Sequence, residues 1–348
     1  MLLDYLRRPA RTPRRRRAAP SDGELGGRGG GEGTRLDRWL ADRCDVPRNR
    51  VRQWIREGLV LVGGRPGKPG QALRAGERVE CEPPAPPAED PRVGPEEGPL
   101  KLLWEDADLV VVDKPAGIAV HPGAGRAGGT LANRLVARFP EIVGVGGEGR
   151  PGIVHRLDLD TTGALAVART DAAYRALSKA FARRQVEKTY LAVVYGRPDP
   201  ASGTIEAPVG RHARKRKEMT VRADGRPATT RYRTLACAEG LSLLELDLLT
   251  GRTHQIRVHM KDAGYPLVGD PVYGEARWKA FPKPRQAPLR SFPRPALHAR
   301  RLAFDHPVRG DERVEAISPI PEDLVRLWSD VTGHPLPAGD QSSESSSV

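Results

Sequence analysis

The sequence of 348 residues predicts an α+β protein with a mixed, mostly antiparallel sheet in a larger domain and a small α/β module in front of it. Two observations predict this class. Short apolar segments with strand character outnumber segments with helical periodicity, and several of them follow one another directly. The composition also changes from Gly-, Pro- and charge-rich to regular apolar patterning near residue 34 and again near residue 99.

Three polar segments frame the two modules. Residues 1–33 are basic and glycine-rich and predict a disordered arm. Residues 83–98, rich in proline and glutamate, predict a semi-rigid linker, and residues 331–348 predict a disordered tail. The small module therefore spans 34–82, and the larger domain spans 99–330.

The small module is predicted to contain two helices followed by two short strands. Apolar residues recur at helical spacing from residue 36 and again from residue 51, with Thr34 as a candidate N-cap and Gly58 as a candidate C-cap. The runs 59–62 and 78–81 have strand character. The second helix and the loop before it carry a basic face that could bind an RNA backbone, although an ordinary solvated helix face is the alternative. Its arginines are Arg48, Arg50, Arg52 and Arg56.

The larger domain is predicted to begin with strands at 102–104 and 109–112. Further strands are predicted at 163–168, 188–195, 229–235, 241–248 and 254–259, and helices at 130–138 and 171–183. Residues 273–297 are rich in Arg, Lys and Pro, and they predict a long insertion. Because strands follow strands, the sheet is expected to be largely antiparallel and not a doubly wound parallel one.

The charge of the chain indicates a polyanionic partner. Lys and Arg number 57 against 44 Asp and Glu, which gives a formal net charge of +13 at pH 7. Basic surfaces bind nucleic acid because they displace the counterions condensed on its phosphates. A general excess of arginine in the composition is the alternative explanation, and the charge alone leaves both open.

The cysteines and the hydropathy bound the compartment. Cys44, Cys81 and Cys237 are far apart and show no C-x-x-C spacing, which argues against a disulfide framework and a structural zinc site. Reduced cysteines suit the cytoplasm, where we expect the protein to act. Since no run of about 18 apolar residues occurs, we expect no membrane segment.

Reactive side chains are densest in residues 152–163, where an apolar lead-in precedes His155, Arg156, Asp158 and Asp160. The pattern predicts a loop at a strand end, where a rigid scaffold presents catalytic groups. An arginine beside an aspartate keeps the carboxylate ionised, as a nucleophile requires. The same cluster could be a structural set of ion pairs, and the residue pattern does not decide between the two.

Two further candidates lie far along the chain. A strand at 254–259 would place Arg257 on a face with polar neighbours, in position to pair with a carboxylate, whereas a surface arginine at a sheet edge is the alternative. In the strand 188–195, Tyr190 could stack on a base, or it could be an ordinary core tyrosine.

Five motifs stand in order along the larger domain. They are D-K-P-A-G-I-A-V-H-P at 113–122, H-R-L-D-L-D-T-T-G at 155–163, K-T-Y at 188–190, G-R-T-H-Q-I-R-V-H at 251–259 and A-L-H-A at 296–299. Together they resemble the RluA family of pseudouridine synthases, and especially its branch that modifies large-subunit ribosomal RNA. The small module, with R-L-D-R-W-L at 35–40, resembles an S4 RNA-binding domain. One departure is Leu159, where relatives of that branch often carry lysine.

The resemblance implies that the N-glycosidic bond of a uridine is broken and that the uracil turns and is rejoined through carbon 5. Asp158 would attack the nucleoside, Arg257 would keep it ionised, and Tyr190 would stack on the base and assist proton removal at carbon 5. A covalent adduct and a glycal route both remain open. The reaction has no redox or phosphoryl-transfer step, so neither a cofactor nor a metal is expected.

The resemblance also implies a structured RNA whose target uridine is extruded before the ring can turn. Large-subunit (23S) ribosomal RNA, free or in a pre-ribosomal particle, is expected ahead of transfer RNA, and the protein is expected to be a monomer. Arg156 is expected to fill the space that the base leaves. The residues expected to bind RNA are Arg156, His155, Arg35, Arg48, Arg50, Arg52, Arg211 and Lys215, and the segment 275–295 is expected to add phosphate contacts.

Two other functions stay open from the sequence. A non-catalytic S4-type RNA-binding protein of ribosome assembly would not need Asp158. A metal-dependent hydrolase could use His155, Asp158, Asp160 and His121. The neighbouring arginine and the absence of an H-x-x-x-H or H-E-x-x-H arrangement disfavour a cation there.

Overall fold

The computed structural model describes residues 33–44, 48–81, 93–123, 128–146, 151–215 and 218–337. The chain divides into two compact units, Met1–Asp90 and Pro91–Val348. The predicted basic arm, apart from residue 33, lies outside the described residues, as does most of the predicted tail. None of the described helices combines the length and the apolar character needed to span a bilayer.

The smaller unit contains the two predicted helices, α1 (Leu36–Cys44) and α2 (Arg48–Arg56), followed by strands. The strands are β1 (Val60–Val62), β2 (Arg65–Pro66) and β3 (Val79–Cys81), antiparallel in the order β2-β1-β3. The apolar residues spaced along both helices pack with those of β1 and β3 into one core. Gly58 adopts a left-handed φ of 78°, as predicted for a C-cap, and turns the chain from α2 into β1.

The larger unit is built on a nine-stranded sheet in the order β4-β5-β6-β13-β7-β12-β11-β8, with β14 paired to β13. Its strands are β4 (Lys101–Glu105), β5 (Leu109–Lys114), β6 (Thr162–Ala168), β7 (Glu187–Tyr195), β8 (Ser202–Glu206), β11 (Thr229–Ala238), β12 (Leu241–Leu248), β13 (Leu297–Asp305) and β14 (Arg313–Ile317). A separate hairpin pairs β9 (Val209–Arg211) with β10 (Met219–Val221). Only the β6–β13 pair of this sheet is parallel among the described strands, so the predicted mixed, mostly antiparallel sheet is confirmed.

Helices cover both faces of the sheet. They are α3 (Leu131–Arg138), α4 (Asp171–Ala182), α5 (Gln255–Asp262), α6 (Lys283–Ser291) and α7 (Glu322–Thr332), with 3₁₀ turns at Pro140–Ile142 and Arg277–Ala280. Successive strand residues point to opposite faces, so Val110 and Val112 join the core under α3 and α5, whereas Leu109 and Val111 join the core under α4. Burial on both faces explains the continuous apolar runs of β5 and β6.

One predicted element is wrong. Residues 254–259, predicted as a strand, form the first turns of α5, because Ile256 and Met260 lie four residues apart and enter the core together. His254 precedes the helix in a left-handed conformation with φ 55°. The predicted insertion at 273–297 contains α6, whose Leu289 is buried.

The edges of the larger unit differ in detail from the predicted domain limits. Residues from 93 onward, predicted as linker, pack on this unit: Val93 is buried in its core, and Glu96 accepts hydrogen bonds from the Gly129 N–H at 2.9 and 3.1 Å. Helix α7 ends at Thr332, two residues beyond the predicted limit of 330. Residues 83–92 of the predicted linker lie outside the described residues.

Candidate active site

A pocket of about 500 Å³ lies where four segments of the larger unit meet, one of them the end of α4 with Arg184. Residues 154–158 form one wall, the start of β7 forms a second, and residues 248–257, which include the first turn of α5, form a third. Its volume is in the range of small-molecule and nucleotide sites. The pocket brings together Asp158, Tyr190 and Arg257, the three predicted catalytic residues, although they are far apart in the chain.

Two buried cations, Lys114 and Arg294, bind backbone carbonyls of the loop that carries Asp158. Lys114 is fully buried and donates from Nζ to the carbonyl oxygens of Pro115 (2.8 Å), Ile118 (2.9 Å) and Leu159 (2.8 Å). Arg294 donates from Nη1 to the carbonyl of Asp160 at 3.4 Å. Burial lowers the pKa of Lys114 to about 8, against the opposing effect of the nearby acids. These contacts fix the backbone on the C-terminal side of Asp158.

His155 holds the N-terminal side of the same loop. Its Nε2 accepts a hydrogen bond from the Ala166 backbone N–H at 2.8 Å, and its ring stacks on Phe181 with centroids 4.4 Å apart. Burial, with a smaller contribution from Lys188, lowers the pKa of His155 to about 3, so the ring is neutral at physiological pH. The ring also lines the pocket, and its predicted contact with RNA stays a prediction.

Arg257 lies between two carboxylates. It donates from Nη1 to Asp158 Oδ2 at 3.2 Å, and from Nε and Nη2 to the two oxygens of Asp270 at 2.6 and 2.8 Å. The Arg257 side chain is 7% exposed and that of Asp158 is 20% exposed, so the ion pair is largely shielded from water and its geometry is constrained. The predicted pairing of Arg257 with a carboxylate is present, but a helix and not a strand delivers it.

Asp270 is a site residue that the sequence pattern did not indicate. Its side chain is fully buried, and it also accepts backbone N–H bonds from Val272 (2.9 Å) and Tyr273 (3.0 Å). Burial alone would raise the pKa of Asp270, but the hydrogen bonds from Arg257 and the backbone outweigh it and hold the pKa below its usual value. The Tyr273 ring covers the Arg257 guanidinium at 5.0 Å. A lone aspartate between apolar residues carried no signal in the sequence.

Tyr190 lies on β7 with its side chain in both the core and the pocket. It is 7% exposed, and no hydrogen bond to its hydroxyl occurs within the described part of the chain. Burial and, secondarily, the charge of Asp158 raise the pKa of Tyr190 above its usual value, so the phenol is protonated. A rigid aromatic face with its hydroxyl beside a carboxylate suits stacking on a planar base.

The predicted RNA-binding residues of the larger unit occupy different places. Arg156 is exposed at the pocket wall and has no ion-pair partner among the residues that the structure describes. Arg211 ends β9, and Lys215 pairs with Glu218 at 3.0 Å; neither lines the pocket. Arg294, within the segment expected to bind phosphate, is instead 4% exposed and bound by both oxygens of Asp323.

Three of the predicted RNA-binding arginines in the smaller unit converge on Asp37. This buried carboxylate accepts from Arg35 (3.2 Å), Arg48 (3.1 Å) and Arg52 (2.7 Å). Burial would raise the pKa of Asp37, but these hydrogen bonds hold it well below the usual range. The three arginine side chains remain 46 to 50% exposed, which leaves N–H groups for a ligand. Arg50 belongs to α2, but its side chain lies outside the described residues.

The geometry does not support the metal-dependent hydrolase. The Nε2 of His155 is already engaged by a backbone N–H, and Arg257 faces Asp158 where a cation would have to bind. Of the described residues, Asp106, Asp108 and His306 are grouped closely enough to hold an ion. None of the three lines the pocket, and both oxygens of Asp106 accept hydrogen bonds from within the protein.

Family comparisons match both units. Residues 108–262 match RNA pseudouridylate synthase, and residues 34–79 match the S4 domain. The resemblance inferred from the five motifs and from the R-L-D-x-x-L pattern is therefore confirmed.

Individual proteins agree with the family match. Ribosomal large subunit pseudouridine synthase D of Xanthomonas campestris pv. campestris is 45% identical over 300 residues, which cover 85% of this chain and 88% of that protein. The protein of the same name from Escherichia coli strain K12 is 42% identical over 304 residues, with 85% and 90% covered. The structure of human RNA pseudouridylate synthase domain containing 1 is 30% identical, with a TM-score of 0.53, and covers 70% of this chain and 94% of that chain.

These relatives favour an enzyme over a non-catalytic RNA-binding protein, and the pocket retains the carboxylate, arginine and tyrosine of the family motifs. Since the identity is above 40% over most of both chains, this protein belongs to the RNA pseudouridylate synthase family and carries an S4 domain before its catalytic unit.

Proposed function

We propose that this protein isomerises specific uridines of large-subunit ribosomal RNA to pseudouridine, with Asp158 as the nucleophile. The observation that carries the proposal is the Asp158–Arg257 pair at 3.2 Å in a pocket that also contains the Tyr190 ring. A carboxylate paired with an arginine, beside a flat aromatic face, suits attack on a nucleoside whose base is stacked next to it.

The reaction conserves all the atoms of the base. The bond between N1 and C1′ breaks with its electron pair leaving on the uracil, the uracil turns, and a bond forms between C5 and C1′. The proton on C5 is then removed, and N1 gains a proton. In the covalent route Asp158 bonds to C1′ as the N1–C1′ bond breaks and leaves as C5 bonds to C1′. In the glycal route Asp158 removes the C2′ proton and returns it as C5 bonds to C1′. Tyr190 lines the same pocket, and we propose that its hydroxyl takes part in the proton transfer at C5.

The substrate class is proposed from the relatives and the second unit. The two relatives above are named for the large ribosomal subunit, and the S4 unit presents arginines that are half exposed. We propose that the protein acts as a monomer, in the cytoplasm, on free ribosomal RNA or on a pre-ribosomal particle. Mapping of pseudouridines in cells with and without the gene tests the target, and co-sedimentation with ribosomal precursors tests the particle.

Replacement of the nucleophile tests the mechanism. We expect Asp158→Asn to abolish tritium release from RNA labelled at C5 of uridine and to abolish carbodiimide-detected pseudouridine. The matched control is Asp160→Asn, two residues away, whose side chain does not line the pocket and whose carbonyl keeps its bond to Arg294. Activity that survives Asp158→Asn would refute the nucleophile, and activity lost with EDTA would favour metal chemistry.

A further inference from the structure

The pocket contains far more positive than negative charge. Asp158 is the one carboxylate among its described lining residues, against five cations: Arg156, Arg184, Lys188, Arg252 and Arg257. Arg257 is compensated by Asp158 and Asp270. The remaining four have no carboxylate partner in the part of the chain that the structure describes. Two of the four, Lys188 and Arg252, are half-buried, whereas most other half-buried arginines among the described residues are ion-paired, such as Arg169 with Glu141 and Arg301 with Glu187.

Lys188 lacks a counterion because of the alternation along β7. Lys188 and Tyr190 share the face that lines the pocket, whereas Glu187 points to the opposite face. There Glu187 is bound by Arg301 and Arg313 and is unavailable to its neighbour. The contact that Lys188 makes is with the Phe181 ring, 5.9 Å from Nζ. Lys188 is half-buried, so its charge is poorly solvated and uncompensated.

Arg184 and Arg252 line the same pocket from two other segments. Arg184 follows α4 with a left-handed φ of 61°, and Arg252 precedes α5 and uses Nε to bind the Pro227 carbonyl at 3.2 Å. Burial and the charge of Arg184 lower the pKa of Lys188, and burial, Arg226 and Arg184 lower that of Arg252. The charge of Arg184 therefore opposes those of both Lys188 and Arg252, and an anion bound in the pocket would relieve this repulsion.

We propose that Arg184, Lys188 and Arg252 form a phosphate-binding site that holds the RNA backbone phosphodiester next to the target uridine. The site is adjacent to Tyr190, two residues along the same strand face, so a nucleotide stacked on that ring would have its flanking phosphate within reach. Three cations from separate segments converge on the multiple oxygens of one phosphate group. The assignment rests on the proposed function, because it takes the pocket's ligand to be a nucleotide of an RNA strand.

The test measures RNA binding without turnover. In the full chain carrying Asp158→Asn, Arg184, Lys188 or Arg252 is replaced by Gln, and affinity for transcribed large-subunit ribosomal RNA is measured between 50 and 200 mM salt, a range in which counterion release is readily resolved. The control is Arg183→Gln, the exposed arginine adjacent to Arg184, which does not line the pocket. Each site variant is expected to bind the RNA about tenfold more weakly, and the slope of log affinity against log salt concentration is expected to fall by about one unit. Neither change is expected in the control. Thermal unfolding excludes a folding defect.

The same replacements in the active protein are expected to raise KM and leave kcat nearly unchanged, and Lys188→Arg is expected to restore KM. Salt slopes that are unchanged in all three variants, or reduced equally in Arg183→Gln, would overturn the site. A wild-type protein that makes no pseudouridine would refute the proposed function, whereas the binding measurement would still decide the phosphate site.

Discussion

The carboxylate of Asp270 binds Arg257 through two hydrogen bonds, Nε to Oδ2 at 2.6 Å and Nη2 to Oδ1 at 2.8 Å. Both side chains are buried, and the remaining Nη1 of Arg257 points to Asp158. The orientation of the arginine that faces the nucleophile is thus set by an aspartate that lies 13 residues further along the chain. A two-point contact fixes the plane of the guanidinium, which a single ion pair does not.

Asp270→Asn is expected to weaken both folding and catalysis. The change removes the charge partner of a buried arginine, which costs about 3–5 kcal/mol of unfolding free energy. It also weakens the two-point contact that fixes the plane of the Arg257 guanidinium. We therefore expect the rate of tritium release to fall by at least about tenfold, which corresponds to roughly 1.4 kcal/mol of transition-state stabilisation. Chemical denaturation and single-turnover assays measure the two effects. Glu245→Gln, which breaks the more exposed pair with Arg233, is the control and should cost less than about 1 kcal/mol. Unchanged activity in Asp270→Asn would show that Arg257 needs no second carboxylate.

Arg156→Ala is expected to impair activity only where the target uridine is stacked in a helix. Arg156 is exposed and lines the pocket beside Asp158, so it can occupy the space of an extruded base. Base extrusion costs a few kcal/mol, and we expect kcat/KM to fall about 10- to 100-fold on a stem-loop and only a few-fold on an unpaired strand. The control is Arg175→Ala on the exposed face of α4. Equal losses on both RNAs would contradict the wedge role.

His155 gives a pH dependence whose sign can be worked out. Its pKa is about 3 in the folded protein, against an ordinary value of 6.5 for the unfolded chain, so the unfolded chain binds more protons between these values. The stability that neutral His155 contributes is fully present above pH 6.5 and is lost as the pH falls toward 3, by up to about 1.4 kcal/mol per pH unit. His155→Phe keeps a ring against Phe181 but cannot titrate. The unfolding free energy of the wild type minus that of His155→Phe should therefore fall as the pH is lowered. A value that stays constant with pH would refute this.

Lys114→Met is expected to destabilise the loop that carries Asp158. The change leaves three carbonyl oxygens, those of Pro115, Ile118 and Leu159, without their buried donor. Because removal of a buried charge offsets part of this loss, we expect about 2–4 kcal/mol of destabilisation. Lys101→Met, at a lysine whose side chain is 60% exposed, should change stability by less than about 1 kcal/mol. Hydrogen exchange of residues 155–161 should accelerate in Lys114→Met alone, and equal protection in both variants would contradict the anchoring role.

Gly163→Ala is expected to prevent correct folding of the larger unit. Gly163 has φ 118°, and an added Cβ would lie 2.2 Å from the carbonyl oxygen of Ala299, its partner in the parallel β6–β13 pair. Because the clashing atoms belong to the Ala299 backbone, which is fixed in the sheet, we expect the unfolding free energy to fall by more than about 3 kcal/mol. In the control Gly251→Ala an added Cβ meets no atom within 4 Å, so its unfolding free energy should stay within about 1 kcal/mol of the wild type. Thermal unfolding compares them, and similar melting temperatures would refute the steric argument.

Local pattern was sufficient for six of the nine strands of the main sheet and for part of the site. The period-2 and continuous apolar runs predicted the strands that became β5, β6, β7 and β12, because side-chain alternation and burial are recorded directly in the sequence. The motif around Asp158 and those around Tyr190 and Arg257 identified the residues that line one pocket. The antiparallel character of the sheet followed from strands that succeed one another without a crossover helix.

Local pattern failed where contacts between distant segments decide the structure. Residues 254–259 alternate like a strand, yet they fold as α5 because the core accepts Ile256 and Met260 from one helical face. Asp270, Lys114 and Arg294 gave no sign of their roles, since each acts through a partner 13 to 134 residues away. By itself the sequence determined the strands β4 to β7, β11 and β12, the family and the reactive side chains, but not β8, β13 or β14. The tertiary structure decided how those side chains are aimed, because burial and ion pairing arise only when the segments meet.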